Sequence, residues 1–163
     1  WFQNLCRLEI IDFFPFQRIK NKQICNYRKE NNSQEYKDIF ELQGSSDSSA
    51  ETAVEVISPR YKNAPTQMVA ALTAKKPREI HWLRWGLIPS WAKDSDIGNR
   101  MINARSESVA EKPSFRDAFR KRRCLVLADG WYEWQVTPDG KQPWFIHLKE
   151  SRPLAFAGLW ERW

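Results

Sequence analysis

The chain has 163 residues, 42% of them apolar and nine of them tryptophan, with a formal charge of +6. That length suits one domain with a core of its own, and no apolar run approaches the roughly 20 residues of a membrane-spanning helix. Cys6, Cys25 and Cys124 form no CxxC pair, and His81 and His147 have no acidic or cysteine neighbour at ligand spacing, which argues against a disulfide framework and against a metal site.

Residues 1–20 are apolar and aromatic but are broken by Pro15, and they read as a strand or a loose hairpin. The opening Trp1-Phe2-Gln3-Asn4-Leu5 has neither the basic start nor the cleavage site of a signal peptide. The missing initiator methionine reads as a fragment or a processed product. Residues 21–38 are polar and read as a solvated loop or a frayed helix, and Gly44 to Ser49 is a linker by composition. The character of the chain changes near Ser58. Residues 1–58 carry a net charge of −2, residues 59–163 carry +8, and the later stretch holds eight of the nine tryptophans. Cations for phosphate and aromatics for bases suit nucleic acid; a merely soluble basic surface is the alternative.

Past that point the signals are short and sheet-like. Pro59 to Gln67 is a proline-bracketed loop. Met68–Leu72 and Arg78–Leu87 read as strands, the second ended by Gly86 and Pro89. Ser106 to Lys112 is a possible helix. Ser114 is a plausible N-cap for a helix with Phe115 and Phe119 on one face. Its end is marked by Lys121-Arg122-Arg123, which suits the helix dipole as well as it suits phosphate. Cys124–Leu127, Trp144–Leu148 and Leu154–Trp160 complete the strand candidates, and Pro138 to Lys141 forms a turn. Many strands with few helices predict an α+β fold: mostly antiparallel β sheets in a barrel-like core with peripheral helices.

The segment Ala128-Asp129-Gly130-Trp131-Tyr132-Glu133-Trp134 stands out chemically. A carboxylate set among three aromatics is poorly solvated, and desolvation raises a carboxyl pKa toward the range useful for acid–base work. The competing reading has Glu133 pointing outward from an edge strand while the aromatics face in.

Five stretches, in order, resemble the SOS response-associated peptidase (SRAP) family: Pro59 to Gln67, Arg84-Trp85-Gly86-Leu87-Ile88-Pro89-Ser90-Trp91, Ile102-Asn103-Ala104-Arg105-Ser106-Glu107, Arg123 to Trp134, and Phe156-Ala157-Gly158-Leu159-Trp160. The resemblance covers about residues 58–163. It implies a partial SRAP domain there, with residues 1–57 unmatched and poorly ordered or non-native. It also implies a peptidase/lyase-type activity in the DNA damage response. Family members bind single-stranded DNA and form a thiazolidine crosslink at abasic sites through a cysteine made N-terminal by autocatalytic processing. By the resemblance, Asn103 holds the sugar and the nucleophile, Glu133 is the acid/base and Arg105 binds phosphate. Asn63, Pro65 and Trp91 contact or wedge the DNA. The implied partner is single-stranded DNA containing abasic sites, with no cofactor, no metal and no membrane. The implied state is a monomer, cytoplasmic and nucleoid-associated in a bacterium or nuclear in a eukaryote.

Two departures from the family pattern stand beside these matches. The family starts with Cys-Gly-Arg after methionine, whereas this chain starts Trp1-Phe2-Gln3, and Cys6 carries an amide instead of a free amine. A His-x-Arg-Met-Pro-like motif expected after the last matched stretch is also absent. The expectation is that the chain as given does not crosslink, and the alternative function is an inactive fragment acting only as a single-stranded-DNA-binding module.

Overall fold

The computed structural model describes residues 24–26, 33–42 and 60–163. The strand or hairpin expected over residues 1–20 and the Gly44–Ser49 linker lie outside the described residues.

Among the described residues, eight strands and two α-helices follow in the order β1 (Ile24–Asn26), α1 (Ser33–Phe40), β2 (Arg60–Asn63), β3 (Met68–Thr73), β4 (Lys76–Arg84), α2 (Arg116–Lys121), β5 (Arg123–Ala128), β6 (Gly130–Thr137), β7 (Gly140–His147) and β8 (Leu154–Leu159). The strands form two antiparallel four-stranded sheets, one ordered β2-β1-β6-β7 and the other β4-β3-β5-β8. The α+β class and the antiparallel pairing agree with the sequence. A closed barrel is not seen among the described residues, where β2 and β7 are the edges of one sheet and β4 and β8 the edges of the other.

Burial explains the strand sequences. β3 reads Met-Val-Ala-Ala-Leu-Thr with every residue after the first buried, because its sheet is covered on both faces and cannot show a polar alternation. On one face Ala70, Leu72, Leu127 and Ala155 pack under Tyr36 and Phe40 of α1. On the other, Val69, Ala128, Leu154 and Phe156 meet Trp131 of the second sheet, together with Trp85. Trp131 and Phe156 contact edge to face, with centroids 5.6 Å apart and planes at 73°, a geometry aromatic rings favour. A third cluster joins Leu87 and Val109 to Phe115 and Ala118 beside α2.

Residues 21–38, read as a solvated loop or frayed helix, hold β1 and the start of α1, which runs on to Phe40. Its composition is polar, but Tyr36 and Phe40 are four residues apart and therefore share one face; they are 1% and 6% exposed. Ser106 to Lys112 forms successive turns instead of a helix, with amides returning to the Arg105 and Ser108 carbonyls. Ser114 is not the cap of α2: the N-cap position is Phe115, and no side chain caps it.

The tightest of the crossings between the sheets is a single residue. β5 ends at Ala128 in one sheet and β6 begins at Gly130 in the other, so the chain changes sheets across Asp129. Asp129 is 1% exposed, and its Oδ1 accepts a 2.6 Å hydrogen bond from the Tyr36 hydroxyl. Gly130 leaves no room for a side chain, because a Cβ there would fall inside contact distance of the Ile146 carbonyl oxygen and the Phe145 ring. Tyr36→Phe removes the donor but keeps the ring. It should lower stability by about 2 kcal/mol, or roughly 4–8 °C in Tm. Thermal unfolding of the two proteins checks this, and an unchanged Tm would show that the corner is held by other contacts.

Candidate active site and nucleic-acid interface

Three loop segments meet at one end of the inter-sheet core, and Trp85 connects them. Its amide donates to the Gln67 carbonyl at 2.9 Å, and its carbonyl accepts from the Thr66 amide at 2.8 Å. Its indole N–H donates to the Ile102 carbonyl at 3.0 Å. The Leu87 amide adds a bond to the Met101 carbonyl at 3.1 Å. The Pro65–Thr66 turn, the Trp85–Leu87 segment and the Met101–Asn103 segment are therefore stitched together. Gly86 lies between two of these bonds at φ 120, with the Gly98 backbone filling the space where a Cβ would stand, so only glycine suits the position.

The inner face of the β2-β1-β6-β7 sheet borders the same core. Asn63 and Trp131 both lie opposite Ile24 in the strand ladder, and Ile146 lies opposite Trp131. Cross-strand partners share a face, so Asn63, Trp131 and Ile146 form one inward row. Asn63 is 0% exposed, enclosed beneath the surface. Glu133 is the next inward residue along β6, about 7 Å beyond Trp131. It is half-buried, and Trp144 stands directly opposite.

The setting of Glu133 differs from both sequence-based pictures. Tyr132 and Trp134 point to the other face of the hairpin, where Tyr132 contacts Trp134 and Phe145, and His147 stacks on Phe145 at 5.2 Å. Strand alternation separates them from Glu133. The strand is also not an edge, since β6 lies between β1 and β7. Glu133 thus shares its face with Trp131 and Trp144, whereas His147 lies on the opposite face.

Asn103 lines a cavity of about 640 Å³, together with Val69, Trp85, Ile102, Cys124 and Phe119. Exposed Arg84 and Arg123 also line it. Arg105 is exposed on the loop two residues past Asn103. Pro65 is half-buried in the turn after β2, and Trp91 is 60% exposed, which excludes a core role for it. The turns around Trp91 are tied by the Trp163 indole, which donates to the Ala92 carbonyl at 2.8 Å. Sequence reasoning did not single out Trp85, Asp129 or Tyr36 as organising residues. The available signal was the position of Trp85 and Asp129 inside recognisable stretches.

Against this geometry the comparisons are informative. A family model described as SOS response associated peptidase (SRAP) matches residues 23–163.

The chain belongs to the SRAP family.

The match starts ahead of the motif-bearing region and takes in β1 and α1. Among curated SRAP relatives, the abasic site processing protein YoqW of Bacillus subtilis is 48% identical over 107 residues, covering 64% of this chain and 48% of YoqW. The chicken abasic site processing protein HMCES is 36% identical over 107 residues, covering 58% of this chain and 32% of HMCES. The chain spans about half the length of YoqW and about a third of HMCES. A crystal structure of a protein from Bacteroides thetaiotaomicron superposes with a TM-score of 0.67 at 24% identity, over 84% of this chain and 60% of that one. A protein from Bordetella bronchiseptica gives 0.66 at 23%, over 87% and 64%. These likenesses establish the fold.

No group of three or more His, Cys, Asp or Glu side chains capable of holding a metal occurs among the described residues. No described helix is long and apolar enough to cross a membrane. Cys124 is buried, and burial pushes its thiol from 9.0 up to about 12, the opposite of what a nucleophilic cysteine needs. The unfolded chain loses this proton near pH 9, whereas the folded protein keeps it to about 12. The contribution is therefore intact below about pH 9 and is lost as pH rises toward 12, by up to about 1.4 kcal/mol per pH unit. Urea unfolding between about pH 9 and 11 should show a flatter pH dependence in Cys124→Ala than in the wild type. Parallel slopes would mean that the thiol is not held protonated.

Proposed function

We propose that this chain supplies the DNA-facing part of an SRAP protein that binds single-stranded DNA and processes abasic sites. The observation that carries the proposal is the joining, through Trp85, of the Pro65 turn to the Ile102–Asn103 segment, at the end of the core that also holds Trp131. Support comes from family membership, from relatives named abasic site processing proteins, and from the net charge of +8 after residue 58.

In this proposal Arg105 pairs with phosphate, the exposed Trp91 and the Pro65 turn meet unstacked bases, and Asn63 braces the floor from below. Asn103 holds the ring-opened sugar, whose aldehyde is the electrophile. The nucleophile is the N-terminal cysteine of the family pattern; Cys124 is unsuited by burial. The cysteine's α-amine adds to the aldehyde carbon, and a proton moves from nitrogen to oxygen. The carbinolamine then loses one water to give an imine. The thiol sulfur adds to the imine carbon, its proton passes to nitrogen, and a five-membered thiazolidine closes. One water leaves, and nothing is oxidised or reduced. Glu133 takes and returns the protons in these steps, and the same groups serve the autocatalytic hydrolysis that exposes the cysteine.

Fluorescence anisotropy with single-stranded oligonucleotides, with and without an abasic site, tests the binding half. The chain should prefer the abasic strand, and Arg105→Ala should weaken binding and reduce the log–log salt slope by about 0.7, the value for one phosphate on a single strand. An unchanged slope removes Arg105 from the phosphate contacts. In a longer SRAP chain with a Cys-Gly-Arg start, Glu133→Gln should slow formation of a heat-stable crosslinked band by about 100-fold or more. An unaffected rate would reject the acid/base role.

A further inference from the structure

The turn after β2 holds a conformation that its own sequence disfavours. Thr66 is β-branched and sits at φ 76, where such residues are rare and persist only when their surroundings impose it. Its amide donates to the Trp85 carbonyl at 2.8 Å, and the Trp85 amide donates to the Gln67 carbonyl at 2.9 Å. Gln67 closes the turn from outside, its Oε1 accepting from the Ala64 amide at 2.8 Å. The other end of Trp85 reaches away from this turn, to the Ile102 carbonyl. All three polar groups of a residue only 7% exposed are thus divided between two segments that carry candidate site residues. Any non-proline residue here could make the two backbone bonds, but only an indole supplies the third, to the Ile102 carbonyl.

We infer that Trp85 is a positioning residue: it fixes the Pro65–Thr66 turn relative to Asn103, so that a strand turned at Pro65 presents its abasic sugar to Asn103. This rests on the function proposed above. The backbone bonds set the turn, and the indole N–H sets the Asn103 segment against it. Gly86, packed on Gly98, prevents the Trp85 segment from sliding between them.

The test compares affinities for abasic and undamaged single-stranded DNA at fixed salt. Trp85→Phe keeps an aromatic ring in the core and removes the indole donor, together with part of the ring volume, whose loss acts on both affinities alike. The ratio of the two affinities should fall about 5-fold, the equivalent of one lost hydrogen bond, with the salt slope unchanged. A role in packing alone would weaken both affinities in parallel and leave the ratio intact. Gln67 is exposed, so Gln67→Ala loosens the same turn without touching the core; it should lower the ratio in the same direction by a smaller factor. If Trp85→Phe fails to fold, Gln67→Ala decides. A wild-type ratio in the folded variants overturns the inference. A wild type with no abasic preference sinks the proposed function instead, and amide exchange at Asn103 then decides the clamp: faster exchange in Trp85→Phe supports it, and an unchanged rate overturns it.

Discussion

The passage of the chain from one sheet to the other across Asp129 constrains everything around it. A carboxyl-bearing side chain is placed where both sheets and α1 meet, and it is held by the hydroxyl of Tyr36. Burying such a group without partners is costly, so the Tyr36–Asp129 bond specifies where α1 must lie. The corner also sets the phase of β6. With Gly130 pressed against β7, Trp131 turns inward, and strand alternation then sends Glu133 to the same face and Tyr132 and Trp134 to the other.

The candidate site is built on that phase. β6 presents Trp131 and Glu133, the ladder through Ile24 brings Asn63 into the same row, and the opposite sheet supplies the apolar wall of Val69 and Phe156. The loop that carries Asn103 has no regular structure of its own. It is placed by its bond to the Trp85 indole and by Ile102 packing against the core. Its placement thus depends on a rigid neighbour, as the role proposed for Asn103 requires.

The buried groups divide by role. Cys124 is a small apolar filler whose thiol is kept neutral by burial, and Arg122 and Glu161 form a partly buried pair at 2.5 Å that ties the end of α2 to the segment after β8. Removing either partner would strand a charge, so such pairs fix geometry more than they add stability. Arg84, Arg105, Arg123 and Trp91 are left exposed at the surface, open to the contacts proposed for this face.

Much of this was legible before the structure. The short strands from Met68 onward, the antiparallel class, the basic and tryptophan-rich later region and the five family stretches all follow from local pattern, because strands, turns and charge leave period-2 runs, glycines and lysines in the sequence. The same stretches are the ground on which Asn103, Glu133 and Arg105 are proposed as site residues. Other features left no local trace. α1 has a polar composition, and its burial depends on two aromatic residues that meet a distant sheet. Whether a sheet closes into a barrel depends on which strand edges find partners, and among the described residues neither does. The face of Glu133 depends on the register fixed at Asp129-Gly130, since a shift of one residue would exchange it with Trp134. Trp85 reads locally as one more core aromatic. Only the tertiary structure brings residues 66, 67 and 102 within hydrogen-bonding reach of it, because that proximity is a property of packing between segments far apart in the chain.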